Sequence, residues 1–361
     1  MKIGIDASIL SISYECGLKR YQRNIIENLA KFDDVNQYYI FSPKKIDLPR
    51  RSNFKLILLP RWMPIFKRQI VIPFYAHKLH LDIFHFPDVW GSIIPPCTKT
   101  IVTLQDLGPH SSYPSIYENP RYFILMILNN FVKLFTLRYA SVIIVPSNFT
   151  KNEYEVKYGS DERLRVIHNG LPYEFSRIRA INYKKDNYFL AFSDFSPRKN
   201  IIRVLGAFKM FNKSHLQSYK LICVCSSESA ATNLKRHVKR LKLSKFVDIK
   251  VNLSTLGLID VYRSASALIY PSLYEGFGLP IIEAMSCGCP VITSNYGSMK
   301  EVSCGGSLLV DPRSLRSISE AMSKVIDKKV SNKLIKDGLK ISRKYSWKNA
   351  TLKIKSIYEK L

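Results

Sequence analysis

Short apolar runs recur along the chain, and between many of them the apolar positions shift to the three-and-four spacing of a helix. The opening KIGIDASIL reads as a strand, residues 11–17 as a loop and residues 18–32 as a helix. The alternation continues: YYIFS and FKLILLP read as strands, VIPFYAHKLHL as a helix, DIFHFP and KTIVTLQD as strands, residues 122–139 as a helix, and SVIIVPS as a strand. After VIHNGLP the chain turns polar over residues 174–186, which predicts an inter-domain linker. It then restarts with the strand YFLAFSD, a helix over 200–211 and the strand YKLICVCS. Strands FVDIKVN, SALIYPS, CPVITSN and GSLLVDP follow, with helices over 254–264, 280–286 and 315–328. Buried strands alternating with helices imply α/β folding around parallel sheets. A length of 361 residues exceeds one ordinary core, so two doubly wound domains are expected.

Composition narrows the class. Hydrophobic residues at 46% and aromatics at 12% supply enough apolar side chain to exclude a disordered or fibrous chain. No apolar run reaches the roughly 18–20 residues of a spanning helix, and MKIGIDASIL lacks a signal-peptide layout, so a cytoplasmic protein is expected. Cys223/Cys225 and Cys287/Cys289 are each separated by one residue, a spacing of alternately facing strand or turn positions in a reducing compartment and not of a zinc site; no metal is expected. Lys and Arg outnumber Asp and Glu by 55 to 28, giving +27, which draws polyanions or an anionic membrane surface. With no zinc-finger spacing, RNA-binding signature or basic-zipper heptads, nucleic acid is not the expected partner.

The segment YPSLYEGFGLPIIEA follows an apolar strand and opens a helix at Pro280, a favoured first helical position. Gly276 and Gly278 let the backbone approach a ligand closely, and the N–H groups near Gly278 to Ile281, around Leu279 and Pro280, lie at a helix's positive end, a site for a diphosphate without a metal. Glu275 and Glu283 bracket it. A carboxylate beside phosphate repels it, so both are expected on hydroxyls of a ribose and a sugar. In SPRKN, Arg198 and Lys199 lie between a strand and a helix, where two cations would neutralise a leaving diphosphate.

With IGIDAS, GLKRYQRNIIENLA, TLQDL, VPSNFT, VIHNGLP, SPRKN, EGFGLPIIEAMSCGCPVI and KYSWKNATLKIKSIYEKL, the chain resembles family 4 of the retaining glycosyltransferases, within it the bacterial mannosyltransferases of O-antigen assembly. The resemblance implies a GT-B architecture: two Rossmann-like domains facing across a cleft, an acceptor-binding domain at 1–178, a nucleotide-sugar-binding domain at 179–341, and a final helix, 342–361, packing back on the first. It implies that Glu275, with the Gly276–Phe277–Gly278 backbone, contacts the donor sugar and that Glu283 binds the ribose. Gly17 falls where the family's first glycine loop brings a helix to phosphate, and Lys19 replaces a second glycine. Gln105 stands where relatives carry a histidine, beside Asp106, a candidate polar group for the acceptor; Ser193 stands where some relatives have an arginine. Gln105 cannot exchange a proton, but the resemblance implies that the leaving phosphate itself takes the acceptor's proton.

His85 and His168 alternate with apolar residues at strand ends and read as structural. The stretch PRWMPIFKRQIVIPF places Trp62, Phe66, Lys67 and Arg68 together, a combination suited to a membrane interface and equally to a core helix with a basic flank; the first reading points to a lipid-linked saccharide acceptor at the inner face of the plasma membrane. GDP-mannose is the expected donor, with UDP- or dTDP-sugars behind it and no cofactor. An epimerase or phosphorylase on the same fold and a non-catalytic polyanion-binding homologue are the rival readings.

Overall fold

The apolar runs assemble into two all-parallel sheets. The computed structural model describes residues 1–12, 17–60, 67–89, 91–96, 99–108, 120–178, 185–216 and 218–361, with the backbone alone at 67, 120–127 and 129. The first sheet holds β1 (Lys2–Asp6), β2 (Gln37–Ser42), β3 (Phe54–Leu58), β4 (Ile83–Phe86), β5 (Lys99–Thr103), β6 (Val142–Val145) and β7 (Leu164–Val166) in the order β3-β2-β1-β4-β5-β6-β7. Its helices include α1 (Gly17–Phe32), α2 (Ile72–Lys78), α3 (Pro120–Tyr139) and α4 (Asn148–Tyr158). The second sheet holds β8 (Tyr188–Ser193), β9 (Lys220–Cys225), β10 (Val247–Val251), β11 (Ala267–Tyr270), β12 (Val291–Ser294) and β13 (Leu308–Val310) in the order β10-β9-β8-β11-β12-β13. Around it lie α5 (Tyr173–Ser176), α6 (Ile201–Ser214), α7 (Glu228–Arg240), α8 (Thr255–Ser264), α9 (Leu279–Ser286), α10 (Gly297–Ser303), α11 (Leu315–Val325) and α12 (Lys328–Ser342); α13 (Trp347–Lys360) closes the chain.

Each sheet is buried on both faces: successive side chains of a strand point to opposite faces, and apolar residues occupy both. In β8, Phe189 and Ala191 enter one core and Leu190 the other. In β5, Ile101 and Val102 divide in the same way between the two cores of the first domain.

One compact unit comprises Met1–Leu107, Pro114–Gly170 and Ser346–Leu361, the other Gly108–Tyr113 and Leu171–Tyr345. The expected boundaries at 178/179 and 341/342 therefore move. Polar residues dominate the start of the expected linker, yet Leu171 and Phe175 are buried in a core of the second domain, which draws the crossing back to 170/171. Ile341 is buried in that same core, so the return falls after Tyr345.

The final helix packs on the first domain, with the Trp347 and Tyr21 ring centroids 5.6 Å apart. The approach is close enough that a Cβ on Gly170 would lie 2.2 Å from the Trp347 amide nitrogen, which no side chain tolerates. A buried chain of hydrogen bonds fixes the same helix: Tyr358 Oη to His85 Nδ1 at 2.7 Å, His85 Nε2 to Thr103 Oγ1 at 2.9 Å, and Thr103 Oγ1 to Tyr21 Oη at 3.0 Å. Burial pushes the His85 pKa down to about 3, so the ring is neutral and structural, as its sequence context predicts. Among the described residues, no helix is long and apolar enough to cross a membrane.

Candidate functional site

In open parallel sheets, ligands bind outside the carboxyl ends of the strands where the strand order reverses. In the second sheet that point lies between β8 and β11, which are neighbours although far apart in sequence. The loop after β8 is SPRKN and the loop after β11 is YEGFG, so topology alone brings Arg198 and Lys199 to Glu275.

The meeting is an ion-pair cluster. Arg198 Nη1 donates to Glu275 Oε2 at 2.8 Å, and Lys199 Nζ to Glu275 Oε1 at 2.7 Å. Lys199 Nζ also reaches Tyr270 Oη at 2.6 Å, and that hydroxyl donates to Glu275 Oε1 at 2.8 Å. Asp194 pairs with Arg198 from the other side at 3.3 Å. Burial opposes ionisation of Glu275, but the charges of Lys199 and Arg198 outweigh it and hold the carboxyl down at about 2. Burial likewise opposes charge on Lys199, and Glu275 reverses the sign, raising its pKa above the ordinary lysine range. All three groups are thus fully ionised at neutral pH.

The loops are anchored before any ligand arrives. Asn200, in the left-handed region at φ 60°, donates to the Pro271 carbonyl at 2.9 Å and to the Pro312 carbonyl at 2.6 Å. The Leu273 amide donates to the Arg198 carbonyl at 2.7 Å, and Ser298 Oγ donates to the Glu275 carbonyl at 2.6 Å. Gly278, at φ 99°, turns the chain into α9 with Pro280 in its first turn, so the positive end of the helix lies at the loop's end. Phe277 points into the core, with its ring 5.6 Å from that of Tyr345. One turn along α9, Glu283 is 1% exposed and accepts a hydrogen bond from Tyr262 Oη at 3.1 Å.

The first sheet reverses between β1 and β4. There Arg68 bridges two carboxylates, with Nε 2.7 Å from Asp6 Oδ2 and Nη2 3.0 Å from Asp88 Oδ2, and Asp6 is fully buried. Arg68 therefore does not serve as a membrane-facing cation: two aspartates at the ends of β1 and β4 draw it inward. Trp62, Phe66 and the side chain of Lys67 lie outside the described residues. A different apolar surface emerges on α3, where Leu128, Phe131 and Leu134 are about half exposed and Phe135 is 38% exposed along one helix face.

Gly17 opens α1, and a side chain there would meet nothing within 4 Å among the described residues. Lys19, in the place of the family's second glycine, is 9% exposed and its amine donates to the Ile12 carbonyl at 2.7 Å. Ser193 accepts from the Phe195 amide at 3.0 Å and shapes the loop. Gln105 follows β5; its Oε1 accepts from Asn169 Nδ2 at 3.3 Å, while its Nε2 is buried with no hydrogen-bond partner among the described residues. Asp106 beside it is exposed. Sequence reasoning missed Lys133, whose pKa burial and then Lys157 lower to about 8 against the opposing charge of Asp106. It also missed Tyr270 and Asn200, for which position after a buried strand and within SPRKN was the available signal. Among the described residues, no group of three metal-ligating side chains gathers.

The family model for glycosyltransferase family 4 matches residues 17–175, and that for glycosyl transferases group 1 matches residues 174–341. An O-antigen chain mannosyltransferase, RfbU, of Salmonella typhimurium is 31% identical over 71% of this chain and 67% of its own length. O-antigen chain mannosyltransferase B of Escherichia coli is 32% identical over 48% of this chain and 46% of its own, so the chain matches about half of that relative. Among solved structures, sucrose-phosphate synthase from Thermosynechococcus elongatus superposes with a TM-score of 0.78 over 100% of this chain and 98% of that one, at 19% identity, which establishes a shared GT-B fold. Two family models in succession along the chain, a relative matched over two thirds of its length and the paired parallel sheets place the chain among the family 4 glycosyltransferases.

Proposed function

We propose that this chain transfers mannose from GDP-mannose, with retention, to a lipid-linked saccharide during O-antigen assembly. The observation that carries the reading is the cluster at the end of β8 and β11: Glu275 held between Arg198 and Lys199, at the mouth of a helix that carries Glu283 one turn in. The mannosyltransferases among the relatives favour the sugar.

Each group has a task in that reaction. The α9 amides and the two cations stabilise the charge that develops on the leaving nucleoside diphosphate, without a metal. Lys199 has an ammonium with three donors, of which Tyr270 and Glu275 take two, so one remains for a phosphate oxygen. Glu275 receives hydroxyls of the sugar and Glu283 those of the ribose. A phosphate oxygen of the departing diphosphate takes the acceptor's proton. The apolar outer face of α3 and a net charge of +27 support an acceptor presented on an anionic membrane.

A second reading, a homologue that binds donor without turning it over, rests on Gln105, which cannot exchange a proton. Incubation with GDP-mannose, UDP- and dTDP-sugars and a lipid-linked saccharide separates them. Release of GDP with mannose on the acceptor supports transfer; tight donor binding with no product under any pairing supports the second reading.

A further inference from the structure

A cavity of about 690 Å³ lies within the first domain, between one face of α1 and the crossover from β2 to β3. Its helical wall recurs every three or four residues from Lys19 in the first turn to Lys31 in the last, a span of about 18 Å at 1.5 Å per residue. The floor is aliphatic: Ile26 and Ala30 are buried, Ile46 and Leu48 half-buried. The rim is basic, with Arg23, Lys31, Lys45, Arg50 and Arg51 exposed around it against Glu27 and Asp47.

A trough that is aliphatic along its base and cationic along its edge suits a ligand that is both apolar and anionic. A nucleic-acid strand needs rings to stack on, and no aromatic side chain lines the cavity among the described residues. A soluble sugar has nothing to place on the aliphatic floor. We propose that this cavity binds a lipid phosphate or diphosphate, with its phosphate at the arginine rim and the first part of its hydrocarbon chain on Ile26, Ala30 and Ile46. The inference rests on the lipid-linked acceptor proposed above and names the part of the chain that holds the carrier's phosphate.

Calorimetric titration of the full chain tests it, with farnesyl diphosphate as the amphiphilic probe and inorganic diphosphate and farnesol as its separate halves. GDP and UDP are present at saturation to occupy the loops of the second domain. Farnesyl diphosphate should bind at least about tenfold tighter than inorganic diphosphate, since a buried hydrocarbon chain contributes through its apolar area. Arg50→Glu/Arg51→Glu should weaken it by about tenfold or more, and Lys45→Glu serves in the same way should that pair fail to fold. Ile46→Asp should bring farnesyl diphosphate down to the affinity of inorganic diphosphate. Lys235→Glu/Lys239→Glu, the same change of charge on the exposed face of α7, should leave binding within about twofold. Equal weakening by both double variants, or no advantage of farnesyl diphosphate over its diphosphate half, overturns the inference. Sensitivity to Arg198→Ala with indifference to Arg50 and Arg51 places the probe in the donor loops, which overturns the inference and leaves the donor reading standing.

Discussion

At the reversal of strand order in the second sheet a carboxylate is held between two cations; at the matching point of the first sheet a cation is held between two carboxylates. The topology is the same and the charge pattern is inverted. Glu275, Arg198 and Lys199 together carry one positive charge, with Asp194 at the edge, and the N-terminus of α9 follows directly. Asp6, Arg68 and Asp88 carry one negative charge, with Asp6 already accepting from the amide and hydroxyl of Ser8 at 2.9 and 2.6 Å. A parallel sheet fixes where a site lies; the residues at its edge decide which ligand charge that site accepts.

The largest effect expected from breaking this comparison is in the first domain. Arg68→Ala strands two carboxylates, one of them fully buried, and should cost roughly 3–5 kcal/mol of stability. The urea midpoint of the full chain reads it, and a shift worth under about 1 kcal/mol would show that the bridge is solvent-screened instead of structural. Next comes the second domain: Glu275→Gln removes the charge that both cations hold and should raise the barrier to transfer by roughly 2–4 kcal/mol. Initial rates at saturating donor measure it; a rate within about threefold of wild type would detach Glu275 from the chemistry.

Much of this architecture was legible in the sequence, and the failures have physical causes. Strands were readable because both faces are buried, giving unbroken apolar runs such as VIIV in β6 and ALIY in β11. Helices α4, α7 and α12 went unread because one face alone is buried, and lysines and other polar residues fill the rest. The glycine turn and Glu283 were legible in EGFGLPIIEA because local backbone chemistry specifies them. The pairing of Arg198 with Glu275 was not, since 77 residues separate them and only the adjacency of β8 and β11 joins the two. Arg68 was misassigned for the same reason: beside Trp62 and Phe66 it reads as part of an amphipathic basic stretch, while its partners, Asp6 and Asp88, lie on other strand ends.

Acid should separate the two domains in a smaller but cleaner way. Unfolded His85 takes up a proton near pH 6.5 while the folded ring refuses it down to about 3, so the first domain should lose stability steadily as pH falls through that window. Glu275 is depressed from 4.5 to about 2, so its contribution is complete above pH 4.5 and is lost only as pH falls below that value. Amide hydrogen exchange at pH 5.5 and 7 should show weaker protection at pH 5.5 in β4 and β5, with β8 and β11 unchanged; equal loss in both sheets contradicts the assignment. The smallest effect concerns metal: because amides and two cations already supply positive charge, EDTA should leave the rate unchanged, and a loss restored by Mg²⁺ would place a cation in the diphosphate site.

The division of labour between the two glutamates is tested most directly by calorimetric titration of Glu275→Gln and Glu283→Ala, each with the free nucleoside diphosphate and with the intact sugar nucleotide. Glu283→Ala should weaken both ligands alike, by roughly 2–4 kcal/mol, because the ribose is common to them. Glu275→Gln should weaken the intact donor while leaving the free nucleoside diphosphate nearly as tight as in wild type. Equal affinity of the two variants for the free nucleoside diphosphate would contradict the assignment of Glu283 to the ribose and Glu275 to the sugar.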